Sequence, residues 1–233
     1  MFFLSEVKNA LLHLAFPHVC EGCGQELSNT AQRLCLRCLS SLPDTNFHLH
    51  PNNPVEKLFW GRLRVMHATA HWYFTKESLV QRLMHQFKYK GNKDLGLHLG
   101  RLMGSALAGS NRFRFIDGLV PLPLFASREK KRGYNQAAVL CEGIAEVLDK
   151  PVWKQVVIRS QSTQTQTRKG RVERWLNMEG TFELVDQHTL KGKHVLLVDD
   201  VVTTGATLEA CGRELLKIEN LQLSIATLCF SSH

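Results

Sequence analysis

From residue 116 onward, short apolar runs alternate with stretches whose apolar residues recur every three or four positions. The runs are IDGLVPLPL, VWKQVVI, VLLV and LQLSIATLCF. Between them Ala138, Cys141, Ile144, Ala145 and Leu148 share one helical face, and Leu208, Cys211, Leu215 and Ile218 share another. Uninterrupted apolar runs mark strands buried on both sides, and crossover helices are what join such strands in parallel. The pattern predicts an α/β domain, an open parallel sheet flanked by helices, and leaves the strand order undetermined. Upstream, Leu63 to Phe74 is rich in β-branched and aromatic residues and predicts a strand or hairpin. Leu79, Val80, Leu83, Met84 and Phe87 predict one helix, and Leu95, Leu99, Leu102 and Ala106 a second.

The first 55 residues read differently. Leu4, Val7, Leu11 and Leu14 predict a short amphipathic helix that Pro17 stops, and residues 18 to 55 are polar and turn-rich with no run able to form a core. This divides the chain into a helix and small module over 1–55 and the α/β domain over 56–233. Cys20, Cys23, Cys35 and Cys38 form two C-x2-C knuckles separated by eleven residues. Two such turns let four thiolates converge tetrahedrally on Zn²⁺, and four thiolates with no open position describe a structural site. Two disulfides and an iron–sulfur centre are the competing readings. Cys141, Cys211 and Cys229 fall on apolar faces or strands and are expected in the core.

Composition narrows the class. An odd count of seven cysteines argues against a fully paired disulfide framework. Glu6 and Lys8 interrupt the N-terminal segment where a secretory signal needs an apolar core, and no stretch approaches the about 20 apolar residues of a membrane span. A reducing cytoplasm is therefore expected, with no membrane span. The net charge of +8, from 29 basic and 21 acidic residues, favours a polyanionic partner such as a nucleotide, a sugar phosphate or nucleic acid.

The segment VLLVDDVVTTGAT, 195 to 207, narrows that choice. An apolar strand meets two carboxylates, Asp199 and Asp200, then a hydroxyl-rich turn of Thr203, Thr204, Gly205, Ala206 and Thr207, and then a helix. Ligands of open α/β sheets bind beyond the carboxyl ends of the strands, where a helix N-terminus offers free N–H groups to an anion. The turn suits a phosphate. The aspartates repel a phosphate but accept hydrogen bonds from a neutral ribose diol, directly or through Mg²⁺. Diol at one end and phosphate at the other describe a ribose 5-phosphate. A P-loop requires Gly-Lys-Ser or Gly-Lys-Thr, and Gly205 is followed by Ala206 and Thr207, which disfavours an NTPase.

The same thirteen residues resemble the motif by which type I phosphoribosyltransferases bind 5-phosphoribosyl-1-pyrophosphate (PRPP). With VPLPLFASREKKRGYNQA at 120–137, ERWLNMEGTF at 173–182 and the four-cysteine module, the chain resembles the ComF family of competence-protein-like phosphoribosyltransferases over nearly its whole length. The family commonly has Phe where Tyr134 stands. The resemblance implies PRPP as ligand with Mg²⁺, catalysis at Asp199 and Asp200, and a link to DNA uptake through the competence machinery.

PRPP also needs cations for its pyrophosphate. Arg128 and Arg132 follow the strand at 116–124, Arg132 and Asn135 lie in the signature-like RGYNQ, and Arg159, Thr165, Gln166, Arg174 and Asn177 lie in or beside the polar loop QSTQTQTRKG, which the resemblance casts as a cover over substrate. Arg128, Arg132 and Arg159 are the expected pyrophosphate ligands. Lys88 to Gly91, KYKG, is also similar to a family feature, and a lysine-bearing helix end with a glycine stop explains it equally well. Besides a transferase acting on an unnamed acceptor, two functions fit: a PRPP-sensing regulator without catalysis, and a protein handling single-stranded DNA. For the latter, Trp60, Trp72, Tyr73 and Phe74 would stack bases among Lys57, Arg62 and Arg64, against the more common fate of core packing.

Overall fold

The computed structural model describes residues 18–30, 32–160 and 181–231. The expected N-terminal helix through Leu4 and Leu14, the polar loop, Thr165, Gln166, Arg174 and Asn177 lie outside them.

Four parallel strands form the central sheet: β1 (Ala68–Tyr73), β2 (Gly118–Pro121), β5 (His194–Val202) and β6 (Gln222–Phe230), in the order β1-β6-β5-β2. Alternation divides each strand between two cores. Leu119, Leu196, Val198, Ala226 and Leu228 pack with α3 (Leu79–Tyr89), α4 (Lys93–Ala108) and α6 (Gln136–Leu148). Val120, Val195, Leu197, Leu223 and Ile225 pack with α7 (Ala206–Leu215) and with Phe47, Val55 and Phe59 from the segment that contains α2 (Pro54–Lys57). Because both faces are covered, the inner strands read as unbroken apolar runs rather than alternating ones.

Two expectations change. VWKQVVI is not a strand of the parallel sheet: Val152 makes a single parallel bridge to Leu119, and the chain then turns so that β3 (Val157–Ser160) pairs antiparallel with β4 (Thr181–Leu184). A short apolar run carries no information about the direction of its partner. The strand holding VLLV does not stop at the acidic pair but continues in register with β6 to Val202, paired with Phe230.

The cysteine segment, including α1 (Leu36–Ser40), sits against α3 and α4. Gln86 Nε2 donates to the Glu21 carbonyl at 2.9 Å, Asn92 Nδ2 to Glu21 Oε1 at 2.8 Å, and Arg33 pairs with Asp94 at 2.7 Å. Cys20, Leu27, Leu34, Cys35, Cys38 and Leu42 are buried in the same cluster as Trp72, Leu83 and Phe87, so this module shares a core with the sheet.

Candidate functional site

At the carboxyl end of β5 the chain makes the tight turn Thr203–Gly205 and enters α7. Gly205 is the N-cap at φ +75°, a conformation that costs a side-chain-bearing residue. A Cβ there would also lie 3.0 Å from Phe59 Cε1, and Phe59 is fully buried. The first helical N–H groups of α7 therefore point outward with few internal acceptors; Ala206 N–H reaches only Thr204 Oγ1 at 3.4 Å. From behind, the Arg62 guanidinium donates to the Thr204 carbonyl at 3.1 Å and pairs with Glu209. Phe59 and Arg62 thus brace the turn. Neither stood out in the sequence for this role, since their contacts are to residues about 145 positions away.

The turn encloses a cavity of about 50 Å³ lined by Asp199, Val201, Val202, every residue from Thr203 to Thr207, and Leu208. The strand thus brings together Asp199 and the whole hydroxyl-rich turn. Asp200 does not line this cavity. Consecutive strand residues point to opposite faces, so Asp199 lies toward α7 and Asp200 toward α3, where Lys88 Nζ sits 2.9 Å from Asp200 Oδ2. The two carboxylates straddle the end of one strand. Burial first, and then the Asp200 charge, pushes the Asp199 carboxyl up to about 8, with Lys88 and Arg159 pulling the other way. An acid so poised passes readily between neutral and charged forms near physiological pH.

The three arginines divide between these flanks. Arg159 stacks on Phe125 at 4.1 Å and on Phe182 at 5.1 Å, and its charge is felt at Asp199. Arg128, in α5 (Ala126–Arg132), sits over the same Phe125 ring at 5.7 Å. Arg132 instead lies over Tyr89 at 5.7 Å, beside Lys88, and donates to Gln136 Oε1 at 2.8 Å. Asn135 caps α6 by accepting from Ala137 and Ala138 N–H and donates to the Leu122 carbonyl at 3.0 Å, a structural use of that side chain. The Tyr134 hydroxyl donates to the Phe87 carbonyl.

The four cysteine sulfurs lie within 4.8 Å of one another, an arrangement that can hold a metal ion. The Cys23 and Cys35 sulfurs are 3.7 Å apart, far beyond a disulfide and close to the about 3.8 Å edge of a tetrahedron with bonds of about 2.3 Å. Backbone N–H groups of Gly22 and Cys35 point at Cys20 Sγ, and that of Cys38 at Cys35 Sγ, as suits sulfurs carrying negative charge. Burial raises the Cys20 thiol, but the backbone N–H groups of Cys35, Cys23 and Gly22 act against it and help to lower it to about 7. Of the aromatics proposed to stack bases, Trp72 is in the core with its Nε1–H on Asp44 at 2.8 Å, whereas Trp60 is 57% exposed with Lys57 Nζ 5.9 Å above its ring.

A family model described as a phosphoribosyl transferase domain matches residues 135–233, from the N-cap of α6 through the acidic pair and turn. Competence protein F of Haemophilus influenzae is 30% identical over 215 residues, covering 90% of this chain and 83% of that one. The chain belongs to the ComF family. DNA utilization protein YhgH of Escherichia coli K12 is 29% identical over 93% of this chain and 92% of its own, and competence protein ComFC of Bacillus subtilis 26% over 80% and 79%. The ComF assignment and the parallel sheet with flanking helices establish the type I phosphoribosyltransferase-like fold with an N-terminal four-cysteine segment.

Proposed function

We propose that this ComF protein binds PRPP at the β5–α7 turn and, with Mg²⁺, transfers its phosphoribosyl group to a nitrogenous acceptor. The observation that carries the reading is the shared wall of one cavity: Asp199 at one end, Thr203 to Thr207 with the α7 N-terminus at the other. Those hydroxyls and N–H groups bind the 5-phosphate, and the acidic pair accepts from the ribose diol, directly or through Mg²⁺ carried on substrate oxygens. Arg128 and Arg159 on one flank and Arg132 on the other supply positive charge for the pyrophosphate as the C1–oxygen bond breaks and the acceptor nitrogen bonds to C1. The ionised Asp199 carboxylate, on the wall of that cavity, is the group suited to accept the proton that the acceptor nitrogen loses.

The cysteine cluster holds zinc as a structural ion, since four thiolates leave it no open position for substrate. The buried thiols of Cys141, Cys211 and Cys229 suit a reducing compartment, the cytoplasm. Among the described residues no helix is long and apolar enough to cross a membrane. The names of the relatives, competence protein and DNA utilization protein, favour a role in DNA uptake or use alongside the competence machinery.

Incubation with PRPP, Mg²⁺ and a panel of purine and pyrimidine bases tests catalysis: an enzyme releases pyrophosphate dependent on one of them, whereas PRPP binding without release identifies a sensor. Trp60 and Lys57 favour single-stranded DNA as a second ligand. Its binding should weaken steeply with salt and fall in Trp60→Ala.

A further inference from the structure

The last turn of α3 is fixed on three sides by three successive residues. Gln86 is tied to the Glu21 carbonyl of the cysteine segment, the Phe87 carbonyl accepts from the Tyr134 hydroxyl at the start of α6, and Lys88 reaches the end of β5. Its side chain is only 20% exposed and that of Asp200 12%, unlike Lys90 two residues on, which is open to solvent. A carboxylate withdrawn from water to that degree is costly unless a counter-charge meets it. Removing that counter-charge leaves the carboxylate free to swing toward solvent, and so changes where its oxygens can accept a hydrogen bond.

We propose that Lys88 is a positioning residue of the phosphoribosyl site, holding the Asp200 carboxylate at the end of β5 in the orientation that the ribose diol requires. This rests on the PRPP reading and deepens it. Asp199 is placed by the same strand that forms the turn, so its position follows from β5 and α7 alone. Asp200 faces the other layer, and the group that aims it comes from α3, 112 positions earlier in the chain. The α3 bracket thereby makes the N-terminal part of the chain a contributor to a site whose motif lies entirely in residues 195–207.

The test is calorimetric titration of PRPP with Mg²⁺ into the full chain, with melting temperatures recorded for each variant. Lys88→Met should weaken PRPP by about tenfold or more, and Lys88→Arg, which keeps the charge, should recover most of that loss. Because Lys88 acts through Asp200, Lys88→Met/Asp200→Asn should bind no more weakly than Asp200→Asn. Should the methionine variant not fold, Lys88→Gln serves in its place. Wild-type affinity in the neutral variant, or a further tenfold loss in the double variant, overturns the proposal while leaving PRPP binding intact. Absence of PRPP binding by the wild-type chain removes the underlying reading, and is seen without any variant.

Discussion

Gly205→Ala is the sharpest perturbation of the turn. The residue stands at φ +75°, where a side chain costs about 1 kcal/mol or somewhat more. The new methyl carbon would lie 3.0 Å and 3.1 Å from two carbons of Phe59. That ring has no exposure and must shift by a few tenths of an ångström within a packed core, an overpacking cost of roughly 1–3 kcal/mol. Together these give roughly 2–4 kcal/mol, or a melting temperature lower by roughly 4–16 °C for a chain of this size. If the turn yields instead, the α7 N–H groups are re-aimed and PRPP affinity falls with a smaller loss of stability. Differential scanning calorimetry with and without PRPP and Mg²⁺ separates the two. A variant that melts within 1 °C or so of the wild type and keeps its PRPP shift would refute the claim that Phe59 and the left-handed glycine fix the turn.

Asp199→Asn should raise ligand-free stability while abolishing PRPP binding. Its carboxyl is raised from the ordinary value to about 8, so the folded state holds a proton the unfolded state has lost, and wild-type stability falls as pH climbs from about 4 to about 8. The asparagine variant should lack that decline, as melting curves across this range will report. If the cysteine cluster holds the proposed zinc, a chelator should lower the melting temperature of the whole chain in one transition, since Cys20, Cys35 and Cys38 share a core with the sheet; a separate early transition that leaves the sheet's melting unchanged would contradict this. In the native protein, Cys141, Cys211 and Cys229 should resist alkylation, being fully buried with thiols pushed up by that burial, while mass spectrometry should find Cys23 modified first once the metal is removed. Trp72→Phe should lower the melting temperature by leaving unfilled space in the core that the indole occupies, with DNA affinity unchanged, whereas Trp60→Ala should do the reverse.

The parts of the fold legible in the sequence were those set by period. The helices at 79–89 and 206–215 buried the stripe that their spacing marked, and the runs at 195–202 and 222–230 became central strands; the helices at 93–108 and 136–148 formed with the stripe rotated, so that Met103, Leu107, Val139 and Leu140 are buried while Leu102, Ala106, Ala138, Ala145 and Leu148 are half-buried. Partnership was not legible. VWKQVVI looks like VLLV, but its second half pairs antiparallel with residues 181–184, and nothing in an apolar run encodes direction. In the sequence Asp199 and Asp200 read as one acidic pair, whereas they face opposite layers; what each meets there depends on Arg159 and Lys88, distant in the chain. The KYKG segment illustrates the limit: the same residues stop a helix and deliver a charge to the site, and only the tertiary position of α3 reveals the second use.

The central claim is that a sugar phosphate is held where β5 passes into α7. The most direct measurement is the melting temperature with PRPP and Mg²⁺, for the wild type and for Asp199→Asn/Asp200→Asn, each against its own ligand-free baseline. At a hundredfold excess over Kd, a ligand bound only by the folded state adds about 2.7 kcal/mol, so the wild type should rise by roughly 5–11 °C and the double variant should not move. Equal shifts in the two proteins would place PRPP elsewhere and contradict the account.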